Sequence, residues 1–204
     1  MLNEIKRAFV ENKAAILISA AILIISLILG YYFEPYLHSY LNPVVEELTR
    51  RVQSGDLSIT FHDIFLNNLQ VILLTFISGI IFCFSSLILA FNGFFVGYYV
   101  ASVHDLVTVS LYIIPHGIFE FSSFILACAA GFVLFKFAYR FVKTVFNNAY
   151  LPIRENLSNS YAENYEKLKQ ALILFAISVI LMAIAGVIEA YFTMHIAEFI
   201  LSLS

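Results

Sequence analysis

Long apolar runs separated by short polar stretches dominate this chain. A run of about twenty apolar residues is long enough to cross a ~30 Å hydrocarbon core, and such runs occur at 14–33, 65–91, 94–114, 117–141 and 170–191. The pattern predicts an all-α, polytopic membrane helical bundle with about five transmembrane helices. We expect a single integral membrane domain over residues 1–204, with short amphipathic helices in its polar connections.

The composition supports a membrane protein and excludes several other classes. Apolar residues make up 61% of the chain and charged residues only 12%, with a mean hydropathy of +0.90, whereas a soluble domain averages about a quarter charged residues. Cys83 and Cys128 both lie inside apolar runs and are interpreted as small buried residues. Since no zinc-ligand spacing, phosphate loop or basic nucleic-acid pattern occurs, we expect no cofactor and no nucleic-acid partner.

The basic residues predict the orientation of the bundle. Three Lys/Arg lie near the amino end, six in 136–169 and two in 34–69. Five crossings put the two basic regions on one side, so the positive-inside rule places the amino end in the cytoplasm of a multi-pass cell-membrane protein. The first run is expected to be a retained helix, because it is longer than the core of a signal peptide.

An intramembrane polar cluster is the candidate functional site. Ionisable groups at membrane depth are costly and usually face a cavity or a partner. Proline suits the first turn of a helix, so Pro115 is expected to begin one. His116 and Glu120 then lie on one face of that helix, four residues apart. The cluster consists of His104, Asp105, Pro115, His116, Gly117 and Glu120.

The third apolar run is the least regular. Asn92-Gly93 predicts a turn before it, Gly97 loosens its start, and His104-Asp105 interrupts its middle. The run is therefore either one continuous helix, two half-helices or a re-entrant hairpin, and broken backbone at this depth must be covered by protein or line a water-filled cavity.

Small residues mark two helix faces that are expected to pack together. Ser123, Ala127 and Gly131 continue the face of His116 and Glu120. In the second apolar run a matching face contains Gly79, Cys83, Ser86 and Ala90. Small side chains let helix backbones approach closely in a membrane, so these faces are natural mates.

A series of motifs runs through the middle of the chain: Phe65 with Asn67-Asn68, then Gly79, Asn92-Gly93 with Gly97, Pro115-His116-Gly117-x-x-Glu120 and Ala130-Gly131. With these motifs the chain resembles the stage II sporulation protein M family of integral membrane proteins between about Asn67 and Phe141. The resemblance implies a multi-pass membrane scaffold. In endospore-forming bacteria, members act with two peptidoglycan-degrading partners during engulfment, and the wider family also occurs in organisms that make no spores.

Three functions are compatible with these residues. A non-catalytic scaffold would use the cluster to fix the fold or an interface, and would bind the lipid bilayer, other membrane or envelope proteins and further copies of itself. A transporter or channel would use the intramembrane His, Asp and Glu side chains directly. An intramembrane metalloenzyme would use His116 and Glu120 as metal ligands, although no catalytic residue is identifiable.

Overall fold

The computed structural model describes residues 2–54, 60–81, 83–103, 106–193 and 195–196, and this part of the chain is helical without any strand. The expected all-helical membrane bundle is confirmed, and within the described ranges five helices are long and apolar enough to cross a membrane. The helices are α1 Leu2–Glu11, α2 Lys13–Gln53, α3 Phe61–Ser78, α4 Phe84–Ser102, α5 Leu106–Asn147 and α6 Ile153–Tyr191.

Helices α2 and α4 run in the same direction, as alternate crossings must. Gly93 of α4 lies against Leu23 of α2, and Gly97 lies further along against Leu27. At one end of the bundle, α1 and the start of α2 lie near Lys136 of α5. We call this the amino-terminal end, and the end where α5 begins and α6 ends the opposite end.

The α3–α4 turn lies where a continuous helix over 65–91 was predicted, and that prediction is wrong. The chain reverses between α3 and α4, and Cys83, just before α4, adopts a left-handed backbone with φ 67°. Amides of Ile80 and Ile81 donate to carbonyls three residues back, and Ser85 Oγ donates to Thr75 O at 2.6 Å. These bonds satisfy the backbone locally, which is what allows a turn without charged residues at membrane depth.

Asn92-Gly93 does not form the predicted turn, and the predicted helix boundary at 94 is wrong. Both residues lie inside α4. Asn92 Nδ2 donates to the Ile88 carbonyl of its own helix at 2.9 Å, while Gly93 is buried against Leu23 and Ser26. These two turn-favouring residues are accommodated in a helix for different reasons. The Asn92 side chain forms a hydrogen bond within α4, and Gly93 has no side chain to keep α2 away.

Pro115 does not begin a helix, contrary to the prediction for 117–141. It lies inside α5, which runs without interruption from Leu106 to Asn147. A proline in a membrane helix is tolerated when local adjustments and neighbouring helices compensate for its missing amide. The predicted span 94–114 is therefore divided between the end of α4 and the start of α5.

Two other helices are longer than predicted. The predicted span 14–33 is the first half of α2, which continues through Pro35 and Pro43 to Gln53. The predicted span 170–191 is the second half of α6, which begins at Ile153. The polar connection after the first apolar run, where a short amphipathic helix was expected, is thus the end of α2, whereas α1 is a separate short helix.

Helices α5 and α6 form an antiparallel pair that continues past the apolar layer at the amino-terminal end. We call Lys136–Lys169 the arm. Within it, Asn156 Nδ2 donates to Val145 O at 2.9 Å, and Asn164 Nδ2 donates to Thr144 Oγ1 at 3.2 Å. Because Asn156 and Asn164 are buried between the two helices, these bonds hold the arm together without a large apolar core.

The buried core forms two clusters, to which all six helices contribute. Near the amino-terminal end, Phe76 stacks on Phe175 with ring centroids 4.4 Å apart, beside Ala130 and Leu174. Nearer the middle, the second cluster consists of Leu23, Ile72, Leu89, Phe124, Ala127, Cys128 and Met182. The close packing of small and large side chains fixes how the crossing helices meet.

Candidate functional site

Helices α5 and α6 and the residues just after α6 bring four polar side chains together at the opposite end of the bundle. His116 Nε2 lies 3.9 Å from Glu120 Oε2, and His116 Nδ1 lies 3.3 Å from Thr193 Oγ1. Glu189 of α6 lies near enough for its charge to repel that of Glu120. We call His116, Glu120, Glu189 and Thr193 the polar site.

The hydrogen bonds of the polar site define where its protons lie. Thr193 Oγ1 donates to the Ile188 carbonyl at 3.1 Å, so its oxygen is left to accept from His116 Nδ1–H. The other nitrogen of a neutral His116 is then an acceptor, and it faces the Glu120 carboxyl group. Two acceptors repel unless a proton lies on one of them. A proton on His116 Nε2 or on the Glu120 carboxyl group removes this repulsion.

No lysine or arginine in the described ranges forms an ion pair with Glu120 or Glu189. The side chain of His116 is 13% exposed and that of Glu120 is 20% exposed. A carboxylate that is shielded from water and lacks a cationic partner is costly when ionised. The electrostatics of the site therefore favour protonated groups or a bound cation.

A cavity of about 560 Å³ opens beside these residues. Tyr99 of α4 and Tyr112 of α5 line it together with His116, Glu189 and Thr193. The volume lies within the range of small-molecule sites, roughly 300–1,000 Å³. The arrangement can bind a small polar or cationic species between two phenol rings and a carboxyl group.

The predicted site is reproduced only in part. His116 and Glu120 share one face of α5, with Pro115 and Gly117 in the same turns of the helix. His104 and Asp105 lie outside the described residues. Among the residues that are described, no group of three or more His, Cys, Asp or Glu side chains could hold a metal ion, so the structure gives His116 and Glu120 no third ligand.

The small-residue face of α5 contacts two partners instead of the single mate that was expected. Ser123 and Ser178 of α6 form reciprocal hydrogen bonds, while a Cβ on Gly79 would overlap the backbone of Gly131. Ala127 between them is fully buried. Cys83 lies in the turn after α3, so the second predicted face does not form one continuous stripe.

Sequence reasoning missed a polar network at the amino-terminal end. Glu11 of α1 accepts hydrogen bonds from Arg7, Lys167 and Gln170 at 2.6–2.9 Å. These bonds lower the pKa of Glu11 to about 2. Further contacts join Glu4 to Lys169 and Arg7 to Glu166. Both α1 and the 163–169 stretch contain two acidic and two basic residues, so complementary pairs were available in the sequence, but which residues pair depends on the fold.

Sequence reasoning also missed Thr193 of the polar site and the two tyrosines, Tyr99 and Tyr112, that line the cavity beside it. Glu189 was visible as a charged residue near the end of an apolar run, and its distance in sequence from Glu120 concealed their proximity. Tyr99, Tyr112 and Thr193 are ordinary interface residues in a membrane helix. Only the packing of α4, α5 and α6 identifies them as cavity residues.

Comparison with known proteins identifies the relatives of this chain. An uncharacterized protein of Methanocaldococcus jannaschii is 35% identical over 152 residues, which cover 72% of this chain and 78% of the relative. A second uncharacterized protein of the same organism is 30% identical over 212 residues, covering 98% and 91%. No solved structure matches significantly. The family model of stage II sporulation protein M matches residues 16–194, and the chain therefore belongs to the stage II sporulation protein M family.

Proposed function

We propose that this protein is a non-catalytic membrane scaffold that assembles partner proteins of the cell envelope. The family and the membrane-crossing helices are consistent with this role. The observation that carries the proposal is the arm, because large apolar side chains are exposed at its tip. Phe146 is 75% exposed, and Tyr150 and Ile153 are each 80% exposed.

The arm is long enough to carry its tip beyond the lipid headgroups. From Lys136 to Asn147, α5 advances roughly 17 Å. The headgroup layer on one side of a bilayer is about 5–8 Å thick. Exposed apolar residues within the hydrocarbon layer simply contact lipid, but at the arm's tip they would be solvated in the isolated chain. Such a patch is typical of a protein-binding surface.

A second projection supports partners on the other side of the membrane. After its apolar half, α2 continues for about 30 Å as a single helix. Tyr32, Tyr36 and Tyr40 follow one another at intervals of four residues there and are 67%, 70% and 76% exposed. A helix with an aromatic stripe on one face can bind another helix, either of a partner or of a second copy of this chain.

We place the amino-terminal end in the cytoplasm. Lys13, Lys136, Lys167 and Lys169 lie at that end of the bundle, whereas Arg50 lies on the far projection of α2. Basic residues are retained on the cytoplasmic side during insertion. In this orientation the arm meets cytoplasmic partners, and the polar site and the far half of α2 face the exterior of the cell.

The experiment is to solubilise native membranes gently and to measure the mass of the complex that contains this protein. Replacing Phe146 and Tyr150 with serine removes the apolar tip, while Asn159→Ala changes an exposed polar position on the same arm. We expect the serine variant alone to lose the larger complex while keeping the retention volume of the wild type after purification. A complex of unchanged mass in the serine variant would contradict the scaffold proposal.

The second candidate function is transport of a proton or small cation, and the cavity beside His116 and Glu189 favours it. Glu120→Gln separates the two functions, because amide substitution preserves shape and removes the titratable group. A scaffold keeps its complexes in this variant. A proton-coupled transporter loses pH-dependent uptake into proteoliposomes while remaining folded. Metal analysis of the wild type and of His116→Ala tests the metalloenzyme alternative.

A further inference from the structure

A second cavity lies beneath the α3–α4 turn at the amino-terminal end, far from the polar site. Its volume is about 580 Å³. Ala15 and Ile18 of α2, Cys83 of the turn and Phe132 of α5 line its inner part, and Lys136 and Tyr139 lie at its outer edge. The lining thus changes from apolar Phe132 to basic Lys136 over about one turn of α5.

The cavity exists because the α3–α4 turn ends short of the neighbouring helices. Gly79 touches Gly131, whereas α5 continues to Lys136, about 7 Å further along its axis. Helix α2 likewise begins at Lys13, beyond the level of the turn. The space between the turn and the headgroup layer is therefore bounded by helices on its sides and open toward the lipid–water interface.

The charges at the edge of the cavity favour an anion. Glu11 also borders it, but Arg7, Lys167 and Gln170 already occupy the carboxyl oxygens of Glu11. Lys136 is exposed and forms no ion pair within the described part of the chain. A lysine at the headgroup level above an apolar pocket matches a molecule with an acyl chain and a negatively charged head.

We propose that this cavity is a binding site for one anionic membrane phospholipid, with an acyl chain beneath the α3–α4 turn and the phosphate group at Lys136. The apolar lining holds the acyl chain of the lipid, and the positive charge of Lys136 favours an anionic headgroup over a neutral one. Tyr139 is placed to donate a hydrogen bond at the interface. The lipid fills the space that is left at the amino-terminal end of the bundle, where α3 ends and α4 begins.

The proposal is tested with the purified full chain and two defined lipids, phosphatidylglycerol and phosphatidylcholine. Native mass spectrometry counts the lipids retained after delipidation. We expect one phosphatidylglycerol per wild-type chain and a preference over phosphatidylcholine of about fivefold, the contribution of one lysine at an anionic membrane surface. Lys136→Gln should abolish that preference, while Lys143→Gln, which changes an exposed lysine of the same helix outside the cavity, should keep it.

Two further measurements make the test independent of headgroup charge. Ala15→Phe fills the cavity and should eliminate the retained lipid in a chain that remains folded by circular dichroism. Cys83 also reports occupancy, because Cys128 is fully buried and should not compete for N-ethylmaleimide. Phosphatidylglycerol should slow the labelling of Cys83 in the wild type. Equal retention of both lipids, equal effects of Lys136→Gln and Lys143→Gln, or unchanged retention in Ala15→Phe would each overturn the proposal.

Discussion

Ser123 and Ser178 exchange hydrogen bonds across the α5–α6 interface. Ser123 Oγ donates to Ser178 O at 2.8 Å, and Ser178 Oγ donates to Ser123 O at 2.9 Å. Both side chains are fully buried. The pair therefore joins the two long helices at a point where neither hydroxyl has water as an alternative partner.

We expect the two serines to be energetically coupled. Interhelical hydrogen bonds in membrane proteins contribute about 0.6 kcal/mol on average and up to ~1.7 kcal/mol. A double-mutant cycle with Ser123→Ala and Ser178→Ala should give a coupling free energy in that range, measured by reversible unfolding in denaturing detergent. Strictly additive losses of stability would show that the hydroxyls act separately.

Gly79→Ala should be strongly destabilising, and Gly117→Ala should not. A Cβ at Gly79 would overlap the backbone of Gly131, which cannot move without separating α3 from α5. Overpacking of this kind costs about 1–3 kcal/mol or more. At Gly117 the nearest atom to a new Cβ is Ile113 Cγ2 at 3.4 Å. There alanine should be neutral or stabilise α5 by up to ~1 kcal/mol.

Thermal unfolding of the two glycine variants in the same detergent tests this difference. Equal melting temperatures for Gly79→Ala and the wild type would contradict the close approach of α3 and α5. A melting temperature of Gly117→Ala far below that of the wild type would instead indicate that the Pro-His-Gly sequence needs glycine for a reason other than steric clash with a Cβ atom.

The docking of α1 should weaken in acid. Because hydrogen bonds lower the pKa of Glu11 from 4.5 to about 2 in the folded protein, the stabilisation is fully present above pH 4.5. It is lost as the pH falls from 4.5 toward 2, when the folded carboxylate takes up its proton. The salt bridge to Lys169 also lowers the pKa of Glu4, so both carboxylates contribute in the same direction.

A single tryptophan can follow this transition, because the chain contains none. Phe9→Trp places the reporter on α1 beside the core cluster near the amino-terminal end. Its fluorescence should shift to longer wavelength below pH 4.5, and most of that shift should be absent when Glu11→Gln is added. An identical acid transition in both proteins would show that Glu11 does not hold α1.

Pro115→Ala distinguishes a proline inside a helix from one at its start. Because Pro115 interrupts the hydrogen bonds of α5, alanine should restore one and raise the free energy of unfolding by about 1 kcal/mol or more. At the beginning of a helix, where proline is favoured, the same substitution would be neutral or harmful. Unfolding in denaturing detergent decides between these outcomes.

The number of crossings could be predicted from hydropathy, but several boundaries could not. The turn after Gly79 contains Ile80, Ile81 and Cys83, so the apolar run continues through it without a polar signal. Conversely, Asn92-Gly93 has the composition of a turn and lies inside α4. In both cases the local structure depends on specific hydrogen bonds and close helix contacts, and a hydropathy pattern contains no information about these.

The part of the candidate site that lies on α5 could be predicted from the sequence, whereas the part contributed by α6 and the residues after it could not. His116 and Glu120 are four residues apart, so helical periodicity alone places them together. Thr193 and Glu189 reach them through the packing of α6 against α5, which depends on small residues such as Ser123 and Ser178. Local sequence thus identifies half of the site, and tertiary structure supplies the rest.

The network that holds α1 also sets an order of events during biosynthesis. Its contacts join Glu4 to Lys169 and Glu11 to Lys167, residues 165 and 156 positions apart. During synthesis α1 therefore waits for the segment that contains Lys167 and Lys169 before its partners exist. A product that stops before Lys167 keeps the amphipathic α1 undocked, so formation of this contact distinguishes a chain that has reached the first half of α6 from a shorter one.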